Sequence, residues 1–185
     1  PSDVRAEKFR ELAPEMYKLK TQLRVAGGEG DKYLGFIENV FDNRDIGNYF
    51  FDHYDFKIFT DLGDMVKQIK SKEKTYSLSR MVSGYAWSWA SKNDPTKHDI
   101  EIDGIKLIWN STNHNWVNSP NAINEVGCIH TVQGYDLNYA GVIIGPEISY
   151  DLEKKEFNIH PEKYMDMNGK KGVTDDFELQ RYIIN

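Results

Sequence analysis

Six consecutive residues, Ala140-Gly141-Val142-Ile143-Ile144-Gly145, carry no polar side chain. The run is too short for a helix, and it does not alternate apolar with polar as a strand with one wet face does. A segment of this kind is stable where both its faces are covered, as in a parallel sheet with helices packed on it. It predicts a central strand and an α/β fold. The flanking pattern agrees. Val4, Phe9 and Leu12 give an apolar side to a short helix that Ser2 or Asp3 caps and Pro14 ends. Leu19 to Val25 reads as a strand, closed by Gly27-Gly28. Tyr33, Phe36, Ile37, Val40 and Phe41 recur at helical spacing from Asp31 onward. Phe56 to Phe59 reads as a short strand, and Thr60 or Asp61 caps a helix carrying Leu62, Met65, Val66 and Ile69. Another strand begins in the stretch from Tyr76 to Trp87. Strand and helix alternating in this way require crossover connections and parallel pairing.

The second half adds hairpins. Ile100 to Leu107 alternates apolar and polar residues around Asp103-Gly104, a two-residue turn signal. Val126 to His130 reads as a strand. Tyr150 to Ile159, broken at Glu153-Lys154-Lys155, reads as a surface hairpin. A last helix starts at Thr174-Asp175-Asp176, with Asp175 and Glu178 at capping-box spacing. One domain spanning residues 1–185 accounts for the length.

Charge and cysteine content narrow the function classes. The net charge of −6 provides no global basic field, so contact with nucleic acid is confined to local patches. Lys67, Lys70, Lys72 and Lys74 read as a solvated helix end. The single cysteine, Cys128, excludes an internal disulfide and a multi-cysteine zinc site, and fits a reducing, cytoplasmic setting. The four other histidines, His53, His98, His114 and His160, share no ligand spacing with Cys128, so no metal site is expected. No apolar run approaches the roughly 18 residues of a membrane span, so no membrane association is expected. The opening at Pro1 and the close within a helical pattern suggest a piece of something larger.

Chemistry concentrates between Gly127 and Gly145. A strand leads into the polar turn His130-Thr131-Val132-Gln133-Gly134-Tyr135-Asp136, and a buried strand follows. Such a turn lies at the carboxyl end of a strand, where open α/β sheets bind ligands. His130, Thr131 and Gln133 offer donors and acceptors, and Gly134 lets the backbone approach a phosphate. Cys128 and His130 are expected on the same face of one strand. No third group orients them, so a cysteine nucleophile is not assigned.

The segment Glu125 to Gly145, with the Gly145-Pro146-Glu147 that follows, resembles motif V of superfamily-one helicases. Within them it is most similar to the Schlafen-related DNA/RNA helicases, expected to be a bacterial family with an AAA-like ATPase core. Leu19-Lys20-Thr21-Gln22-Leu23-Arg24 is similar to motif IV, which opens the second RecA-like domain. The resemblance implies a RecA-like three-layer domain whose ATP and Mg²⁺ bind, in the complete protein, between this chain and a first RecA-like domain. Neither is expected to be bound by residues 1–185 alone. It implies that Arg24 reaches the γ-phosphate, with Gln22, Gln133, Gly134 and Asp136 bordering the nucleotide. A planar, permanently charged guanidinium suits that task. His130 and Thr131 are then expected to position that turn or touch the nucleic-acid backbone, and Trp87 or Trp89 either to pack in the core or to meet bases of single-stranded DNA or RNA. The family often has Glu at the position of Asp136, which is shorter by one methylene.

The phosphate-cradling Gly-x-x-x-x-Gly-Lys-Ser/Thr is absent. Gly27-Gly28-Glu29-Gly30-Asp31-Lys32 lacks its spacing, and no apolar strand ends in Asp-Glu. The resemblance places both in the first domain, before Pro1, and the terminal arginine motif after Asn185. The alternative reading is a RecA-like adaptor without catalysis, binding nucleic acid or protein. A phosphate-binding lysine upstream separates the two.

Overall fold

Ser79–Ser83 (β1) is an interior strand of the sheet, its pattern of buried residues leaving neither face wet. The computed structural model describes residue 25, residues 28–42 and 50–167, and positions 170, 173, 179, 180 and 183. The expected helix over 2–12, the expected strand over 19–25 and the helix from Thr174 lie outside the described residues or touch them only at single positions.

Around β1 stand β2 (Ile100–Ile102), β3 (Ile105–Trp109), β4 (Glu125–Gly127) and β5 (Tyr139–Ile143), in the spatial order β2-β3-β4-β1-β5. β3, β4, β1 and β5 run parallel, and β2 pairs antiparallel with β3. The expected Asp103-Gly104 hairpin is present. Both turn residues have positive φ, 49° and 79°, as a two-residue turn matched to strand twist requires. β6 (Ile148–Asp151) and β7 (Glu156–Ile159) form the expected second hairpin.

α1 (Gly30–Phe41) and α2 (Leu62–Tyr76) are the two long helices among the described residues. Asp61 caps α2, its carboxylate accepting from the Asp64 N–H at 2.8 Å, which satisfies one of the amides a helix start leaves unpaired. α2 lays Leu62, Met65 and Ile69 on the sheet, directly over Gly141, where Ile69 and Met65 occupy the space a side chain would take. Met81, Ile100, Trp109, Val126 and Cys128 complete this core. On the sheet's other side Trp116, Val117 and Ala122 pack from two short 3-10 turns. The buried Arg80 fastens them: its Nε and Nη2 donate to the Val117 carbonyl at 2.8 and 2.6 Å, and Nη1 pairs with Glu73 at 2.7 Å.

Three expectations are corrected. Among the described residues the apolar run is not central. β5 ends the sheet among the described residues, with Gly141 and Ile143 under α2 while Val142 and Ile144 are 61% and 63% exposed. An apolar run reports a lack of polar side chains, not which strands flank it. Phe56 to Phe59 is not a strand. Phe56 instead joins Phe51 and Tyr54 against Tyr33 and Phe36 of α1, with ring centroids 5.1–6.3 Å apart. Aromatic enrichment here serves ring packing rather than a ladder. Lys72 is not solvated: it pairs with Asp55 at 2.7 Å, donates to the Tyr139 hydroxyl at 3.1 Å and lies over the Tyr139 ring.

The loop before α2 is tied to α1 by Glu29. Its carboxylate accepts from the amides of His53 at 2.7 Å and Asp52 at 3.1 Å, and Lys32 lies 3.3 Å away. The His53 amide, helped by the Asp52 amide and by Lys32, outweighs desolvation and holds this carboxyl down at about 2, from an ordinary 4.5. A depressed carboxyl contributes stability above its unfolded value and loses it as pH falls towards the folded one. Hydrogen-exchange protection of the Asp52 and His53 amides is therefore expected to persist at pH 6 and to fade between pH 4.5 and 2. In Glu29→Gln that protection should already be reduced at pH 6.

Candidate functional site

The connections leaving β1 and β4 run in opposite directions. The chain leaves β1 towards β2 and β3, whereas from β4 it crosses to β5 on the far side of β1. Diverging connections of this kind open a crevice at the carboxyl ends of neighbouring parallel strands, the place where open α/β sheets take ligands. Two segments flank it, the stretch after β4 and the loop after β1.

After β4 the chain does not continue extended to His130, as expected. Cys128 is the last extended residue, and α3 (Ile129–Val132) is a single helical turn. The Thr131 N–H and hydroxyl both donate to the Cys128 carbonyl, at 3.0 and 2.9 Å, which closes that turn. Cys128 and His130 therefore do not share a strand face: Cys128 is buried and His130 is exposed. Thr131 is buried too, its hydroxyl committed to the turn. Gln133, Gly134 and Asp136 follow on the exposed side. Gly134 has φ +89°, and no atom lies within 4 Å of the position a Cβ would take. Its absent side chain leaves open space, not a filled core contact.

After β1 comes Gly84 to Ser91, with Tyr85, Trp87 and Trp89 half-buried. Tyr85 is the hinge between the two segments. Its ring centroid lies 6.0 Å from His130, 5.7 Å from Trp109 and 6.5 Å from Trp89. Burial first, and then a hydrogen bond to the Cys128 thiol, push its hydroxyl above the ordinary range, so it stays protonated at any ordinary pH. The structure thus joins His130, through Tyr85, to Trp89 and Trp109, and the exposed Gln133-Gly134 turn follows His130 in the chain. Gln22 and Arg24 lie outside the described residues. A family model, Schlafen group 3, DNA/RNA helicase domain, matches residues 4–185.

The chain belongs to the Schlafen group 3 DNA/RNA helicase domain family. This Schlafen group 3 chain is also 31% identical, over 95% of its length, to the uncharacterized protein YPL245W of Saccharomyces cerevisiae. It spans 43% of that relative's length. The yeast relative does not support the expected bacterial family. No solved structure matches the chain.

Sequence reasoning missed a buried acid at the same edge of the Schlafen domain. Glu147, just past β5, is 4% exposed, and its Oε2 has no hydrogen-bond partner in the structure. Gly84 and Gly145 make room for it, since a Cβ on either would meet its carboxyl oxygens. Burial pushes this carboxyl above the ordinary range. The only sequence signal was its place after Gly145-Pro146. Glu125 is buried as well, but Trp116 Nε1 and the Ser111 N–H donate to its Oε2 at 2.7 and 3.0 Å, so it serves the fold. Among the described residues no group of three His, Cys, Asp or Glu is placed to hold a metal ion, and no helix is long and apolar enough to cross a membrane.

Proposed function

We propose that this chain is the second RecA-like motor domain of an ATP-dependent DNA/RNA helicase or translocase. The observation that carries the reading is the exposed, left-handed Gly134 in the polar turn that follows β4. A backbone with no side chain at that point can approach a phosphate, and Gln133 and Asp136 stand beside it to reach the rest of a nucleotide. The family's description as a DNA/RNA helicase domain supports the same reading.

In this account ATP and Mg²⁺ lie between this domain and a first RecA-like domain, the partner that holds the phosphate-cradling lysine and the acidic residues for the metal. Arg24 neutralises charge on the γ-phosphate. His130 and the loop after β1 face the single-stranded DNA or RNA, and Thr131 positions the turn from beneath. Phosphoryl transfer depends on positioning and charge neutralisation by all of these parts together. Residues 1–185 supply one of them. A charge-assisted contact contributes about 1.5–3 kcal/mol, small against the roughly 8.2 kcal/mol of a micromolar complex. The isolated chain is therefore expected to release no phosphate from ATP and to bind nucleotide in the millimolar range at best. The full-length protein is expected to hydrolyse ATP when single strand is present. Turnover by the isolated chain overturns the division of labour proposed here.

A further inference from the structure

Glu147 lies where the carboxyl ends of β1 and β5 come together. The Ser83 hydroxyl donates to the Ile143 carbonyl at 2.8 Å, at the last paired position of the two strands. Beyond that pair two side chains are missing, at Gly84 and Gly145, and the Glu147 carboxyl takes up both places. A Cβ on Gly84 would stand 3.1 Å from its Oε1. A Cβ on Gly145 would collide with its Oε2, with the Ala86 methyl and with Cη2 of Trp87. Oε2 therefore sits in an apolar slot roofed by the loop after β1. The Glu147 backbone is fixed from the other side, its carbonyl accepting from the His160 N–H at 2.8 Å at the base of the β6–β7 hairpin.

We infer that Glu147 is a proton-carrying positioning residue: as the neutral acid it seats the loop after β1 on the end of β5, and its ionisation releases that loop. The inference rests on the motor reading only for what the loop meets, a single strand. The latch itself rests on the surroundings of Glu147.

Glu147 is 4% exposed, and no described group lies within hydrogen-bond reach of Oε2. A carboxylate that loses water on one oxygen and gains no donor there is penalised far more than the neutral acid. Burial is accordingly the strongest influence on this carboxyl and raises its pKa, against the amides of Glu147 and Gly145, which favour the charged form. No charged side chain among the described residues acts on it. Tyr85, on the loop, is hydrogen-bonded to the Cys128 thiol, and Tyr164 and Asp166 act on Tyr85. His160, on the hairpin, is engaged by Ser149 at 2.8 Å and lies 3.7 Å from Glu162. An apolar side chain would fill the slot without the penalty. What the acid adds is dependence on a proton. With the loop open the carboxyl returns to its ordinary 4.5, so the closed loop holds the proton more tightly. The latch is fully set below pH 4.5 and weakens as pH rises from there through the closed-state value.

The test is amide hydrogen exchange of the full-length protein between pH 4.5 and about 8, corrected for intrinsic rates. The Ala86 and Met165 amides report the loop, since they donate to the Gly84 and Tyr85 carbonyls at 2.9 and 2.6 Å. The Asn110 amide, bonded to the Val126 carbonyl at 3.0 Å, reports the rest of the sheet. Relative to Asn110, protection of the two loop amides is expected to fall as pH rises, by up to about tenfold per pH unit, the slope of one proton. In Glu147→Gln, which keeps the shape and cannot ionise, the ratio should stay flat at its low-pH level. That variant should melt at or above the wild-type temperature at neutral pH. Affinity for a fluorescein-labelled single-stranded oligonucleotide should weaken over the same pH range in the wild type and hold steady in Glu147→Gln. A flat wild-type ratio, a wild-type slope in Glu147→Gln, a fall shared equally by Asn110, or a Glu147→Gln protein that does not fold overturns the inference. A pH-dependent ratio that Glu147→Gln abolishes, in a protein whose ATP turnover ignores the strand, sustains the latch and removes the motor reading. Strand-stimulated turnover with a flat wild-type ratio does the reverse.

Discussion

Gly127→Ala is expected to destabilise the protein by about 3 kcal/mol or more, above the usual range for one added methylene in a core. The new Cβ would land on Cζ3 of the Trp116 ring and 2.7 Å from Cη2. The ring cannot move aside. Trp116 is fully buried, and its Nε1 donates to Glu125 at 2.7 Å, so a shift would take one of two donors from a buried carboxylate as well as open a void. For a chain of this size such a loss lowers the melting temperature by about 6–12 °C. Thermal unfolding followed by circular dichroism checks this. A shift of a degree or less would mean that Trp116 has somewhere to go.

Gly134→Val is expected to behave the opposite way, with a small stability loss and a large activity loss. Open space surrounds the position, so the stability cost comes only from holding a β-branched residue at φ +89°, about 1–3 kcal/mol. ATP turnover by the full-length protein should fall much further than that if, as the motor reading has it, the side chain fills the approach to the phosphate. Turnover at the wild-type rate with unchanged melting would mean the glycine is incidental to the nucleotide. Comparing the two variants separates a glycine that makes room for the core from one that is proposed to make room for a ligand. Sequence alone shows both only as Gly.

Local chemistry was legible in the sequence wherever the signal was local. Asp61 capping α2, the two left-handed residues at Asp103-Gly104 and the break at Glu153-Lys154-Lys155 all act within a few residues, and each appears as expected. Signals that depend on the rest of the fold misled. The run from Ala140 to Gly145 announced apolar faces, and only the tertiary arrangement placed β5 at the end of the described sheet. His130 followed a strand pattern, but the hydrogen bonds from Thr131 to the Cys128 carbonyl curl the chain into a helical turn first. That curl carries His130 to the ring of Tyr85, a neighbour 45 residues away in sequence that no spacing rule connects to it. Glu147 and Arg80 were invisible for a related reason: a buried charge looks like a surface charge until its surroundings are known.

Arg24 carries the most direct consequence of the motor reading, since its guanidinium is assigned to the γ-phosphate. The decisive measurement is steady-state phosphate release by the full-length protein, wild type and Arg24→Ala, with Mg²⁺ and ATP, with and without single-stranded DNA or RNA. The account predicts wild-type release that rises with the strand. In Arg24→Ala release should fall by about a thousandfold or more, as for removal of an arginine that stabilises transferring phosphate, while the protein still binds the strand. Release that is absent from the wild type, or unchanged in Arg24→Ala, would contradict it.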